Sequence, residues 1–308
     1  MRSWLGRLLR WVFGLGGIAF LVVAFRETWR RSQALPIPKA WAFVSAAVLI
    51  LVGLYCLARA WVRLFADQGG NRSLAAGFYA SQLGRYIPGA VWQALAQVGL
   101  ATQSGIPLPQ ASTAFAVHAL VQLAAGGTAG ATLAVFGTGV PMGIRLVAPL
   151  ALLPLIVLRR SVLVRVLRPL GRLMRRTFSD ALVPSQKAIL ASYCWTLCNV
   201  VVGSLAFTVL LSSLPGGAPI LASSAAFGLA WMIGFLAVPF PSGIGVREAA
   251  LLVTIGFAAP RSHVIAASVG QRLVLMAADA VAIVSSRIRS RARPDSSIAR
   301  GEPDTHGP

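Results

Sequence analysis

Residues 188–211, AILASYCWTLCNVVVGSLAFTVLL, pass without one charged side chain. A helix rises about 1.5 Å per residue, so roughly 20 apolar residues in a row cross a hydrocarbon core. Comparable runs recur near 8–25, 41–64, 111–136, 142–158, 187–211, 220–238, 244–259 and 263–286. In lipid the backbone must satisfy its own polar groups, so such runs fold as helices. They predict an all-α integral membrane protein of about eight transmembrane helices. Only 12% of the 308 residues are charged, where a soluble domain carries about a quarter. No soluble block longer than about 30 residues stands between the runs to hold a separate catalytic core. Residues 1–286 therefore read as one polytopic membrane domain. Its first run ends VVAFRETWRR without a small-x-small cleavage site, which predicts an uncleaved span.

The formal net charge is +20, and the basic residues crowd between apolar runs. That clustering is a positive-inside pattern and argues against nucleic acid as a partner. Residues 159–176, RRSVLVRVLRPLGRLMRR, hold seven arginines and no acid, which places them in the cytoplasm. The tail 287–308 carries five more arginines, turns rich in Pro, Ser and Gly, and is expected to be disordered. Eight spans put both termini and the arginine-rich loop on the inner side. Arg26, Arg30, Arg31 and Lys39 then lie outside against Glu27, a conflict that the longer clusters outweigh. The loop 159–176 either serves as a topology determinant alone, the favoured reading, or lies on anionic lipid as an amphipathic helix. Cys56, Cys194 and Cys198 all fall within apolar runs, and buried packing is expected of them rather than metal binding.

Two segments break the pattern. Residues 73–110 are too polar and too interrupted by Gly and Pro for a plain span, and too apolar for a solvated loop. They predict a re-entrant or interfacial helical hairpin breaking at Pro88-Gly89. The second break, PFPSGIGVREAAL at 239–251, places Pro241, Gly243 and Gly245 just before Arg247 and Glu248. A new helix is expected near Ile244, its N-terminus presenting unpaired N–H groups that suit an anion such as phosphate. An intramembrane charge is costly and marks a pathway or a paired site. RYIPGAVWQALA at 85–96 runs parallel to 239–251: aromatic, proline, glycine, then a polar residue opening an apolar helix. Paired interruptions in corresponding halves point to a transporter site between repeats. The alternative is an ordinary Pro-Gly turn at a membrane surface, with Arg247 and Glu248 snorkelling.

ARAWVRLF (58–65), LGRYIPGAVW (83–92), PSGIGVREAAL (241–251) and GQRLVLMAADAV (270–281) together resemble the lysylphosphatidylglycerol synthase transmembrane region, a flippase-like family. The resemblance runs in order over most of residues 1–290, and Pro-x-Gly-x-Gly-Val-Arg-Glu is its most specific element. It implies a bacterial inner-membrane protein that moves phospholipids or polyprenyl-linked lipids between leaflets, with no chemistry of its own. Ser242 stands where the family often has glycine. Val91, Trp92 and Gln93 follow the first Pro-Gly, where many members carry a charge, so a strictly symmetric anion site does not follow.

Arg85, Arg247 and Arg272 are the candidate headgroup ligands, with Glu248 orienting them. Arg85 either reaches a phosphate or sits at the interface. Arg272 and Asp279, seven apart on the last span, share a face and either meet Arg247 and Glu248 or pair structurally with neighbouring helices. His118 is expected to be core, and Arg59 and Arg63 to anchor the end of their span around Trp61. No G-x-x-x-x-G-K-[ST] occurs, so nucleotide hydrolysis is not expected, nor is a cofactor. The acids of the membrane region, Glu27, Asp67, Asp180, Glu248 and Asp279, are scattered singly, which disfavours an enzyme. Two rivals remain: a transferase using a lipid-phosphate donor, and a non-transporting partner of membrane biosynthetic enzymes.

Overall fold

The computed structural model describes residues 35–68, 72–87, 91–136, 142–173, 179–217, 219–237, 245–256 and 258–291. In chain order its α-helices are α1 (Ala40–Arg63), α2 (Arg72–Ser81), α3 (Val91–Gln103), α4 (Leu108–Phe136), α5 (Met142–Val147), α6 (Leu153–Val157), α7 (Arg160–Leu173), α8 (Gln186–Ser212), α9 (Ile220–Leu236), α10 (Val246–Ile255) and α11 (Arg261–Arg291). Short 3-10 turns join several of them, and no strand occurs among the described residues.

Four stretches are long and apolar enough to cross a membrane: Ala40–Arg63, Leu108–Thr132, Asp180–Ser212 and Arg261–Ser286. They fall on four of the expected spans, and the chain is an α-helical membrane protein. The other expected spans differ. Residues 8–25 lie outside the described residues. The run 142–158 is not one helix but α5, a 3-10 stretch (Ala148–Leu152) and α6. Pro149 and Pro154 explain this, because each lacks an N–H and clashes with the preceding turn. The run 220–238 forms the 17-residue α9, and 244–259 yields only the 10-residue α10. At the end of the chain, α11 continues through Arg291, so residues 287–291 of the basic tail are helical, and 292–308 lie outside the described residues.

The long helices divide their surfaces by helical spacing. On α1, Trp41, Val44, Val48, Val52 and Tyr55 are exposed, while Ala42, Ala46, Ile50, Leu54 and Leu57 are buried. Steps of three and four residues keep each set on one side. A wholly apolar exposed stripe suits lipid, which solvates it as well as protein does. The outward stripe of α8 includes Leu190, Val201 and Leu205, and also Cys194 and Cys198. That corrects the expectation of buried cysteines: only Cys56 is buried, because the four-residue spacing of the other two turns both outward.

Helices α1 and α8 run antiparallel along their length. Lys39 N donates to Ser213 Oγ (3.3 Å) at one end and Ser185 N to Asp67 Oδ2 (3.4 Å) at the other. Midway, a Cβ on Gly53 would stand 2.9 Å from Asn199 Oδ1, so the two helices lie close there. Helix α4 meets α9 through Gly126, Gly130 and Gly228, a small-residue contact of the kind that lets membrane helices approach closely. A Cβ on Gly130 would lie 2.9 Å from Leu229 Cα, and one on Gly228 2.6 Å from Ala129 Cβ.

Buried side chains gather in two clusters. One joins the first half of α1 to the end of α8 and to α9, α10 and α11, around Phe207, Phe227 and Leu251. The other joins the end of α1 to α2, α4, α7 and the start of α8, around Trp61, Phe65 and Phe78. Trp61 is thus core, not an interfacial anchor, and packs edge-on against Phe65 and His118. The arginine-rich segment is the amphipathic helix α7, which buries Leu163, Val164 and Leu167 in the second cluster. Its exposed Arg168 donates to both carboxylate oxygens of Asp180, clasping α7 to the entry of α8.

Candidate functional site

The segment expected to break at Pro88-Gly89 is a two-armed hairpin: α2 with the 3-10 turn Gln82–Tyr86, then α3. Gly84 lies against Gln93 and Gly77 against Leu100, so the arms run antiparallel. A Cβ on Gly84 would stand 2.7 Å from Gln93 Cα, a closeness that requires glycine. A second pair, α9 and α10, flanks the other break, with Gly234 against Arg247. Pro88, Gly89, Pro241 and Gly243 lie outside the described residues. Gly245 is described and caps α10 at φ 82°, a left-handed conformation that glycine adopts without strain.

Helix α10 starts at Val246, two residues past the expected Ile244. Glu248 curls back so that Oε2 accepts from Gly245 N at 2.7 Å. The helix N-terminus expected to attract an anion is therefore capped in part by a carboxylate of its own. The arginines add to whatever attraction for an anionic group the remaining N–H groups of the first turn provide.

Those arginines converge. Arg85, Arg247 and Arg272 line one cavity of about 450 Å³, bounded by α1, α3, α4, α8, α9, α10 and α11. It lies where the two clusters meet, with Leu54 of one and Leu57 of the other both in its wall. Arg247 stacks its guanidinium over Phe227, 4.2 Å from the ring centroid, and donates through Nη2 to Gln271 Oε1 (3.1 Å). Gln271 Nε2 in turn donates to Gly203 O (2.7 Å), which fixes the amide's orientation. Arg272 Nε donates to Glu248 Oε1 at 2.8 Å, and Ser268 Oγ donates to the same oxygen at 3.1 Å. Arg85 donates to Gln82 Oε1, which also accepts from Gln93 Nε2 (3.3 Å). Its Nη1 lies 3.8 Å from Asp279 Oδ2, the oxygen that accepts from Tyr86 Oη.

This arrangement places the sequence candidates in relation to one another. Glu248 sits across from Arg272, and adjacent Arg247 points elsewhere, as the roughly 100° step between neighbouring helical residues requires. Asp279 does not meet Arg247 or Glu248; it meets the first hairpin through Tyr86 and Arg85. His118 is buried between Trp61 and Phe78, its ring nitrogens without hydrogen-bond partners among the described residues. Arg59 stacks over Trp195 at 5.8 Å.

Sequence reasoning missed the amides. Gln93, Gln97, Gln122, Asn199 and Gln271 all line the cavity. Their signal was available, since each is a strongly polar side chain inside an otherwise apolar helix, where polarity is costly unless paired.

Electrostatically, three guanidinium groups face two carboxylates. The carboxylates stand behind the arginines rather than in the wall, where no Asp or Glu appears among the described residues. Arg247 Nε and Arg272 Nη2 are buried and have no hydrogen-bond partner among the described residues. Unpaired buried donors on a cation are costly, and an entering acceptor would relieve that cost.

The fold and site together define a class: an α-helical membrane protein with an arginine-lined cavity bounded by α1, α3, α4, α8, α9, α10 and α11. No protein-family model matches the chain, and the search of curated proteins found no match.

Proposed function

We propose that this chain carries the headgroup of an anionic lipid between the leaflets of a bacterial inner membrane. The observation that carries the reading is the convergence of Arg85, Arg247 and Arg272 on one cavity, with spare guanidinium donors buried in its wall. Arginine's planar fork suits phosphate oxygens, and in a low dielectric a charge-assisted hydrogen bond is strong. The apolar part of the wall, including Ile50, Leu54, Val200 and Leu275, suits a lipid whose chains stay in the bilayer. The reading treats α2–α3 as a re-entrant hairpin and α9 and α10 as two spans flanking the second break, in corresponding halves of an internal repeat, which keeps an eight-span topology with both termini inside. That arrangement agrees with the flippase-like resemblance of the four sequence motifs. Glu248 and Asp279 act as counter-charges to the arginines, and no catalytic step is assigned to them.

The test is reconstitution. Purified protein in liposomes should accelerate exchange of a fluorescent anionic phospholipid between leaflets, and Arg247→Met should slow that exchange roughly ten- to hundredfold. Product formation from a lipid-phosphate donor would instead identify a transferase. Absence of both activities would favour a partner of membrane biosynthetic enzymes.

A further inference from the structure

The amides of the cavity wall are not explained by a phosphate. Gln97 is only 2% exposed, lines the cavity, and its Nε2 has no hydrogen-bond partner among the described residues. Gln122, 8% exposed, and Asn199 line the same space from α4 and α8. Phosphate oxygens only accept hydrogen bonds, and the arginines already offer donors to them. A side-chain amide both donates and accepts, which matches a hydroxyl on each count. Trp231 and Phe235, stacked with centroids 5.8 Å apart and planes 19° apart, line the same cavity. Aromatic rings and amides in one cavity suit a ring with apolar C–H faces and a rim of hydroxyls. An amine-bearing headgroup gains nothing there, since no carboxylate lines the cavity among the described residues.

We propose that the Gln97 side of the cavity is a subsite for the hydroxyls of a polyol or sugar phosphate headgroup. The inference rests on the anionic-lipid reading above and narrows it: the phosphate meets the arginines and the hydroxylated group meets the amides. The volume of about 450 Å³ lies within the range of about 300–1,000 Å³ typical of small-molecule sites. A site built to hydrogen-bond hydroxyls discriminates strongly against an analogue lacking them, because its own polar groups are left unpaired.

The experiment is thermal unfolding of the purified full chain in detergent with lipids of identical acyl chains. Ligands that bind the native state alone raise the midpoint with concentration. Phosphatidylinositol should protect at concentrations at least fivefold lower than phosphatidic acid does. In Gln97→Met and in Gln122→Met, phosphatidylinositol should fall to the level of phosphatidic acid, whose own effect is unchanged. Equal protection by the two lipids in the unaltered protein overturns the subsite and leaves the anion site standing; this comparison needs no variant to fold. A phosphatidylinositol preference that survives in both variants overturns the assignment to the amides. If neither anionic lipid protects more than phosphatidylcholine, the anion reading itself fails. Soluble inositol 1-phosphate is the last arm, and protection at the same concentrations would overturn the lipid source in favour of a free phosphate ester.

Discussion

Tyr86 Oη donates to Asp279 Oδ2 at 2.6 Å, tying the first hairpin to the last long helix across 193 residues of sequence. Asp279 is 2% exposed and its Oδ1 has no hydrogen-bond partner among the described residues, so Tyr86 and Arg85 hold a buried carboxylate in place. Tyr86→Phe should destabilise the protein by about 2 kcal/mol, since hydrogen bonds to charged groups contribute roughly that much. Asp279→Asn should cost more, because it leaves the Arg85 charge less balanced at membrane depth. Denaturation midpoints in detergent check both, and an unaltered midpoint for Tyr86→Phe would show that the tie contributes nothing.

The Glu248–Arg272 pair makes a sharper test. Its two side chains are about one-fifth exposed, so breaking it leaves a poorly solvated charge. Glu248→Gln should cost on the order of 3 kcal/mol. Adding Arg272→Gln should recover most of that stability without recovering transport, the non-additivity expected of residues in contact. A double variant no more stable than Glu248→Gln alone would mean that Arg272 draws its stability from other partners.

For Arg247 the expected effect falls on transport. Arg247→Met keeps an apolar stem against Phe227 and Gly234 while removing the charge. A charge-assisted contact worth about 1.5–3 kcal/mol predicts a roughly ten- to hundredfold slower lipid exchange at unchanged midpoint. Arg247→Lys should rescue only in part, because an ammonium neither stacks like a guanidinium nor forks onto two oxygens. Undiminished exchange in the Met variant would assign Arg247 to the scaffold.

Orientation can be read with reporter fusions. Fusions after residues 176 and 295 should report the cytoplasm, and one near 216 the outer side. Asp67 and Ser185 meet at the α7 end of the bundle, so the α1 terminus should share the sidedness of the arginine-rich helix. An external signal at 176 would reverse the arrangement.

The helix contacts at glycine are equally open to test. Gly228→Leu would drive a side chain into Ala129 and the backbone of α4. Overpacking of this kind costs roughly 1–3 kcal/mol. Gly99→Ala is the control, since nothing stands within 4 Å of a Cβ there. Comparable losses at both positions would remove the close-approach explanation.

The uncharged stretch 188–211 and its counterparts at 41–64, 111–136 and 263–286 were legible because span length and apolarity are local properties of a chain in lipid. The same local logic marked Arg247, Glu248 and Arg272 as charges needing a reason, and it set Glu248 to orient the arginines. It could not say which face of a span turns inward. Membrane helices are apolar all round, so Cys194 and Cys198 looked as buried as Cys56 until α1, α9 and α11 packed against the other side of α8. Nor could it break 142–158 correctly, where Pro149 and Pro154 outweighed hydropathy. Gln97, Gln122 and Asn199 lie on three different helices, and their common cavity exists only once α3, α4 and α8 are assembled. Local sequence therefore determined the helices and the charges that had to be paired. Tertiary packing alone decided the partners, because residues 193 positions apart, such as Tyr86 and Asp279, meet only once the helices that carry them are packed together.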